Sequence, residues 1–162
     1  MLGTVETRLA EKGFELPKAA SPAANYVSYT ITDSLVYVSG QITSLNGELK
    51  FIGRLGENFD VEKGYQAAQL CGLNLIAQVK EACSGDLERV KKVIRLGGFV
   101  NSSPDFSEHP KVINGASDLM VSAFGPTIGQ HSRFAVGVAS LPLGVAVEVD
   151  ATFKILEAGS DN

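Results

Sequence analysis

The chain has 162 residues, 44% of them hydrophobic and 20% charged, with a formal net charge of −4. This length suits one domain with a core that needs neither metals nor disulfides, and the composition is that of an ordinary soluble globular protein. No basic cluster is longer than RVKKVIR (89–95), which argues against nucleic acid as the main ligand, since binding to its backbone is driven by positive charge.

The N-terminal MLGTVETRLAEKGFELPKAA lacks an apolar core followed by a small-residue cleavage site, so no signal peptide is visible. No apolar run reaches the roughly 18 residues needed to cross a bilayer. A cytoplasmic protein without a membrane partner is the expectation. Residues 4–14 predict a short helix or arm closed by Gly13. From Asn25, YVSYTITDSLVYVSGQI alternates apolar and small polar residues, predicting two strands that turn at Asp33-Ser34. Asn46-Gly47 is a hairpin signal, and LKFIGRLG after it predicts a third short strand.

A helix is predicted over 61–83, with Asp60 as its cap and Val61, Tyr65, Ala68, Leu75, Val79 and Ala82 at helical spacing. Cys71 and Cys83 fall in or beside it without CxxC spacing, and read as packed thiols rather than a disulfide. A strand over 90–101 precedes a second helix over 110–124, whose first turn holds Pro110. Gly115 is unusual in a helix interior, where glycine costs about 1 kcal/mol relative to alanine. It reads as close packing against a neighbour, or as pocket lining. Two strands, 133–140 and 145–156, follow and are joined at LPLG. The order β-β-β-α-β-α-β-β predicts one α+β domain, an about six-stranded mixed sheet with two helices on one face. Its last strands are apolar on one side (Val145, Val147, Val149) and small on the other (Ala135, Gly137, Ala139), so the free face calls for self-association.

One opposite-charge pair stands in the apolar run 131–155: Arg133 and, fifteen positions on, Glu148. Alternation puts Arg133 in a row with Ala135 and Gly137, and Glu148 in a row with Ala146 and Asp150, beside small side chains that leave room for a ligand. If the two strands pair around LPLG, the two charges stand almost opposite; a crossing connection there would separate them. Arginine offers a fork for a carboxylate, and a nearby carboxylate can orient water or move a proton. The same pair also reads as a structural ion pair on half-exposed strands. His109 and His131 lie in different segments, without ligand spacing, so no metal site is expected. His131 reads as a surface residue at a strand start or as one facing the cleft. GGFVN is not a phosphate loop, because it lacks a Lys-Ser/Thr pair and a helix start.

YVSGQI (37–42) with ASLPLGVAVEVDA (139–151) resembles the RidA/YjgF family, also known as endoribonuclease L-PSP. Arg133, Leu141-Pro142 eight positions on and Glu148 seven beyond the leucine match its late signature. GRLGENFDVEKGYQAAQL resembles the family's entry into its first helix, and FVNSSPDF and KVINGASDL the strand and second helix of its longer branch. The resemblance, covering Asn25 to Ile155, implies a chorismate-mutase-like fold and a homotrimer with clefts between subunits. It implies hydrolysis of 2-imino or enamine acids, such as 2-iminopropanoate, to 2-oxo acids and ammonia without metal or organic cofactor. Arg133 would clamp the carboxylate and Glu148 would orient water. Tyr26, Ser39, Gly40 and Ala135 would line the pocket, Gly40 by letting the backbone approach closely.

The chain departs from the family where active members often carry Pro-Ala before the arginine and Cys two after it. Here these are His131-Ser132 and Ala135, and the segment 101–115 is slightly longer. A deaminase and a non-catalytic carboxylate-binding or regulatory trimer both fit. A ribonuclease is disfavoured by the charge and by the lack of a histidine pair or an aromatic-basic stripe.

Overall fold

The computed structural model describes residues 1–159. Helix α1 (Thr4–Glu11) turns Val5 and Leu9 inward. Strands β1 (Tyr29–Thr32) and β2 (Leu35–Gln41) pair as a hairpin whose turn residue Asp33 has φ 53°. Asn46 and Gly47, at φ 50° and 88°, close the two-residue ladder of β3 (Ser44–Leu45) and β4 (Glu48–Leu49). Left-handed residues in succession are what an Asn-Gly hairpin turn requires.

The third strand expected over LKFIGRLG does not form. Phe51 at φ 49° and Gly56 at φ 83° break the pleat, leaving single bridges from Ile52 to Val145 and from Leu55 to Phe59 and Ser102. The main sheet therefore has five strands rather than about six, in the order β1-β2-β7-β5-β6. Helix α2 (Val61–Ala82) starts where Asp60 accepts the Lys63 amide at 2.9 Å, and it is buried continuously from Leu70 to Val79. Cys71 and Cys83 are free, buried thiols.

Strand β5 (Val90–Asn101) leads into helix α3 (His109–Gly129), which is interrupted at Gly125, φ 83°, just before Pro126. A residue before proline is pushed out of the helical region, so the regular helix stops at Phe124 as expected. Gly115 faces α2. A Cβ there would fall on the Tyr65 carbonyl, so the two helices meet backbone to backbone, and close packing accounts for the glycine.

Strand β6 (Ser132–Val138) lies parallel to β5, and β7 (Val147–Ile155) lies antiparallel on the other side of β5. The segment at LPLG is thus a crossing connection and not a hairpin. The parallel partner follows from α3, since a crossover is how a chain returns to pair in parallel. Val147, Val149, Ala151, Phe153 and Ile155 of β7 are buried in the core with α2 and α3. Glu148, Asp150 and Thr152 point to the opposite face. That face is bare and apolar in large part. Tyr37 and Val136 are 47% and 42% exposed, and Phe134 meets Phe99 edge-on with the Arg95 guanidinium 4.8 Å from its ring centre.

Candidate functional site

A cavity of about 580 Å³ opens where the end of β2 meets the start of β7. Tyr26, Ser39, Gly40 and Glu148 all line it, with Gln41, Asn74 of α2 and the Pro142-Leu143 turn. The local sequence explains how they converge. Ser39 holds the preceding segment through its amide to the Ser28 carbonyl, at 2.9 Å, and its hydroxyl to the Val27 carbonyl, at 2.7 Å. That fixes the segment carrying Tyr26. Gly40 lies against Glu148, and a Cβ at position 40 would fall on the Glu148 carboxylate. Only glycine leaves the carboxylate where it is.

Glu148 is half-buried, and among the described residues it forms no ion pair or side-chain hydrogen bond. Burial raises its pKa above the usual glutamate range, and the Asp150 carboxylate raises it further. Asp150 carries its own tension, because its Oδ1 is buried without a hydrogen-bond partner among the described residues. The site is therefore a concave space with one uncompensated, base-capable carboxylate, which is suited to holding a polarised water.

Arg133 and Ala135 are elsewhere. Both lie on edge strand β6 and point to the helical face, whereas Glu148 faces the bare side, and β5 separates their strands. Arg133 donates to Ser117 Oγ at 2.9 Å and to the Pro110 carbonyl at 3.0 Å, both on α3. No carboxylate among the described residues pairs with it. A guanidinium has five N–H donors, so three remain for a ligand. The last two strands thus do not pair directly, and the crossing connection that separates them is the one that occurs. Within one chain the two charges are on different faces, and the structural ion pair between them does not form.

The sequence reading missed Asn74 and Gln78. Both are almost wholly buried in α2, where Asn74 donates to the Ile42 and Ser44 carbonyls (3.2 and 2.7 Å) and Gln78 to the Ala20 carbonyl (2.7 Å). They tether the loop and turn that wall the cavity. Their signal was two amides four apart in the otherwise apolar stretch LNLIAQV. No group of three His, Cys, Asp or Glu side chains among the described residues is arranged to hold a metal. No helix there is long and apolar enough to cross a membrane.

Residues 6–152 match the family model described as YjgF/chorismate mutase-like endoribonuclease. The chain is 48% identical over 153 residues to protein TCP17 of Trypanosoma cruzi, covering 94% of this chain and 95% of that one. It is similar to the crystal structure of Atu1372 from Agrobacterium tumefaciens, a protein of unknown function, with TM-score 0.88, 47% identity and 94% and 92% coverage. A Shewanella oneidensis structure, described as that of a candidate endoribonuclease, aligns with TM-score 0.90 at 40% identity over 94% of this chain and all of that one.

Proposed function

The chain belongs to the YjgF/chorismate mutase-like family, that is RidA/YjgF, and from that premise we propose that it hydrolyses reactive 2-imino or enamine acids to 2-oxo acids and ammonia. The observation that carries the reading is Glu148, a half-buried carboxylate without a counter-charge, facing a cavity bordered by Tyr26, Ser39 and Gly40. The second half of the site is Arg133, a cation without a carboxylate partner among the described residues and with donors to spare.

The two halves lie on opposite faces of one sheet, so they meet only when Arg133 of one subunit docks beside Glu148 of the next. Such a head-to-tail contact closes into a ring. Three copies are the ring that the family resemblance implies, and the bare face bearing Tyr37, Phe99, Phe134 and Val136 supplies the apolar surface to bury. In the cleft, Arg133 holds the substrate carboxylate and leaves the imine carbon over Glu148. Water attacks that carbon and the carbon–nitrogen π electrons move to nitrogen. Glu148 takes the proton lost by the water and returns it to the amine. Collapse of the carbinolamine breaks the carbon–nitrogen bond, and the hydroxyl proton passes through Glu148 to the departing ammonia, leaving the carbonyl. One iminium acid and one water become one 2-oxo acid and one ammonium, so the balance needs neither oxidant nor metal. The imine is already electrophilic, and positioning with one proton shuttle is enough.

A second reading, a carboxylate-binding trimer without turnover, is favoured by Ala135, which packs against the core where active members often carry a thiol. The test is ammonia release from 2-iminopropanoate generated in situ by an amino-acid oxidase, with wild type, Arg133→Ala and Glu148→Gln. Acceleration by wild type alone supports the deaminase. Restored activity on co-refolding the two variants supports the shared cleft, since a mixed ring contains an intact site. Background rates for all three would sink the deaminase, and carboxylate binding by wild type would then favour the second reading.

A further inference from the structure

His131 and Ser132 stand where the family often has Pro-Ala, and His131 is not a free surface residue. Its Nε2 lies 2.8 Å from Ser117 Oγ and its Nδ1 lies 2.6 Å from the Gly129 carbonyl, while Ser117 Oγ lies 2.9 Å from an Arg133 nitrogen. The roles along this chain are forced. A guanidinium can only donate, so Ser117 Oγ accepts from Arg133. A carbonyl can only accept, so His131 Nδ1 carries hydrogen. In the neutral ring Nε2 is then bare and takes the one proton that Ser117 has to give. Each donor finds one acceptor, running Arg133 to Ser117 to His131 to the Gly129 carbonyl.

We propose that Ser117 and His131 form a positioning relay that fixes the Arg133 guanidinium in the orientation a substrate carboxylate requires. The inference rests on Arg133 being the carboxylate clamp. Three features support it. Among the described residues Arg133 is held on its helical side by two acceptors, and the other, the Pro110 carbonyl, fixes just one nitrogen. Without Ser117 the plane of the fork is free to rotate about that single contact. A serine alone would have a free rotor, and His131 orients its lone pairs towards Arg133 by taking its proton. The ring is also kept neutral by its surroundings. Burial lowers its pKa, with Arg133 on the strand that follows it and Lys92 on β5 acting in the same direction against the pull of the Gly129 carbonyl. From α3, Asp118 acts on Arg133 and accepts the Tyr65 hydroxyl at 2.7 Å. A family member with proline at position 131 has no such ring and no such relay.

The carboxylate is unchanged through the reaction, so a loosened clamp weakens ground state and transition state alike and appears in KM. Nitrogen-resolved NMR of histidine-labelled wild type should show His131 with Nδ1 protonated and Nε2 bare. Ser117→Ala should raise KM about tenfold, as expected for losing one hydrogen bond to a charged group, with kcat unchanged. Ser117→Thr keeps the hydroxyl and should restore KM. An Nε2-protonated ring in wild type would overturn the relay without any variant. So would wild-type KM in Ser117→Ala when Arg133→Ala abolishes the acceleration, or a fall in kcat alone. If Arg133→Ala keeps the wild-type rate and KM, the clamp itself is wrong and the relay falls with it.

Discussion

Gly40→Ala separates a site role for Glu148 from a merely structural one. Gly40 is not in the left-handed region, so alanine there meets no backbone strain, and the three atoms nearest the added Cβ all belong to Glu148. It would fall on the carboxylate oxygen and lie 3.1 Å from Cδ and 3.3 Å from Cγ. The obstructing atoms are the end of a flexible side chain, so Glu148 swings aside at a cost of about 0.5–1.5 kcal/mol, the range for an off-rotamer side chain. For a chain of this size that moves Tm by no more than about 6 °C. The chemistry suffers far more, because a displaced general base forfeits about 10²–10⁴ in rate. Scanning calorimetry at fixed protein concentration and the ammonia assay read the two effects. The double variant Gly40→Ala/Glu148→Gln should be no slower than Glu148→Gln alone, since both changes remove one function. Full activity in Gly40→Ala, or losses that multiply in the double variant, would refute the reasoning.

The raised pKa of Glu148 means the native state holds its proton more tightly than the unfolded chain, so its ionisation opposes folding as pH rises through the native value. In the separated protomer, where no neighbouring Arg133 stands beside it, Glu148→Gln should therefore raise Tm near neutral pH, and the gain should vanish in acid below the ordinary glutamate range, as a pH series of melts on dilute protein would show. The active form is the carboxylate, so the acid limb of kcat/KM should move to lower pH in Asp150→Asn, which removes the neighbouring charge; an unmoved limb would exclude Asp150 as the cause. Gly115→Ala gains about 1 kcal/mol of helix propensity but drives a methyl into the Tyr65 carbonyl, and overpacking of about 1–3 kcal/mol should leave a net loss in urea unfolding. Asp60→Ala removes the α2 cap and should cost about 1 kcal/mol in the same assay.

The elements were largely legible because their signals are local. Asp60, the apolar spacing of α2, the bounds of β5 and the stop at Phe124 ahead of Gly125-Pro126 all follow from neighbours in sequence. What failed was adjacency. Alternation tells which residues share a face, not which strand lies beside which, and nothing in LPLG distinguishes a hairpin from a crossing. Arg133 and Glu148 were thus recognisable as residues while their opposite faces were not. The broken strand at Phe51 was equally hidden, because a non-glycine residue at positive φ leaves no sequence mark. Ser117 escaped notice for a related reason. Its partner His131 is fourteen positions away and joins it only because α3 folds back over β6.

Strand β7, last in sequence, lies at the centre of the sheet between β2 and β5. Before it arrives, β1-β2 and β5-β6 are two separate ribbons with no hydrogen-bonded ladder between them. A chain emerging from the ribosome therefore exposes two sticky half-sheets until its final strand slides between them. Contacts between residues so far apart in sequence make this a slow, late event. Glu148, the carboxylate of the proposed chemistry, arrives on that strand, so assembly of the cavity and completion of the core are a single step in time.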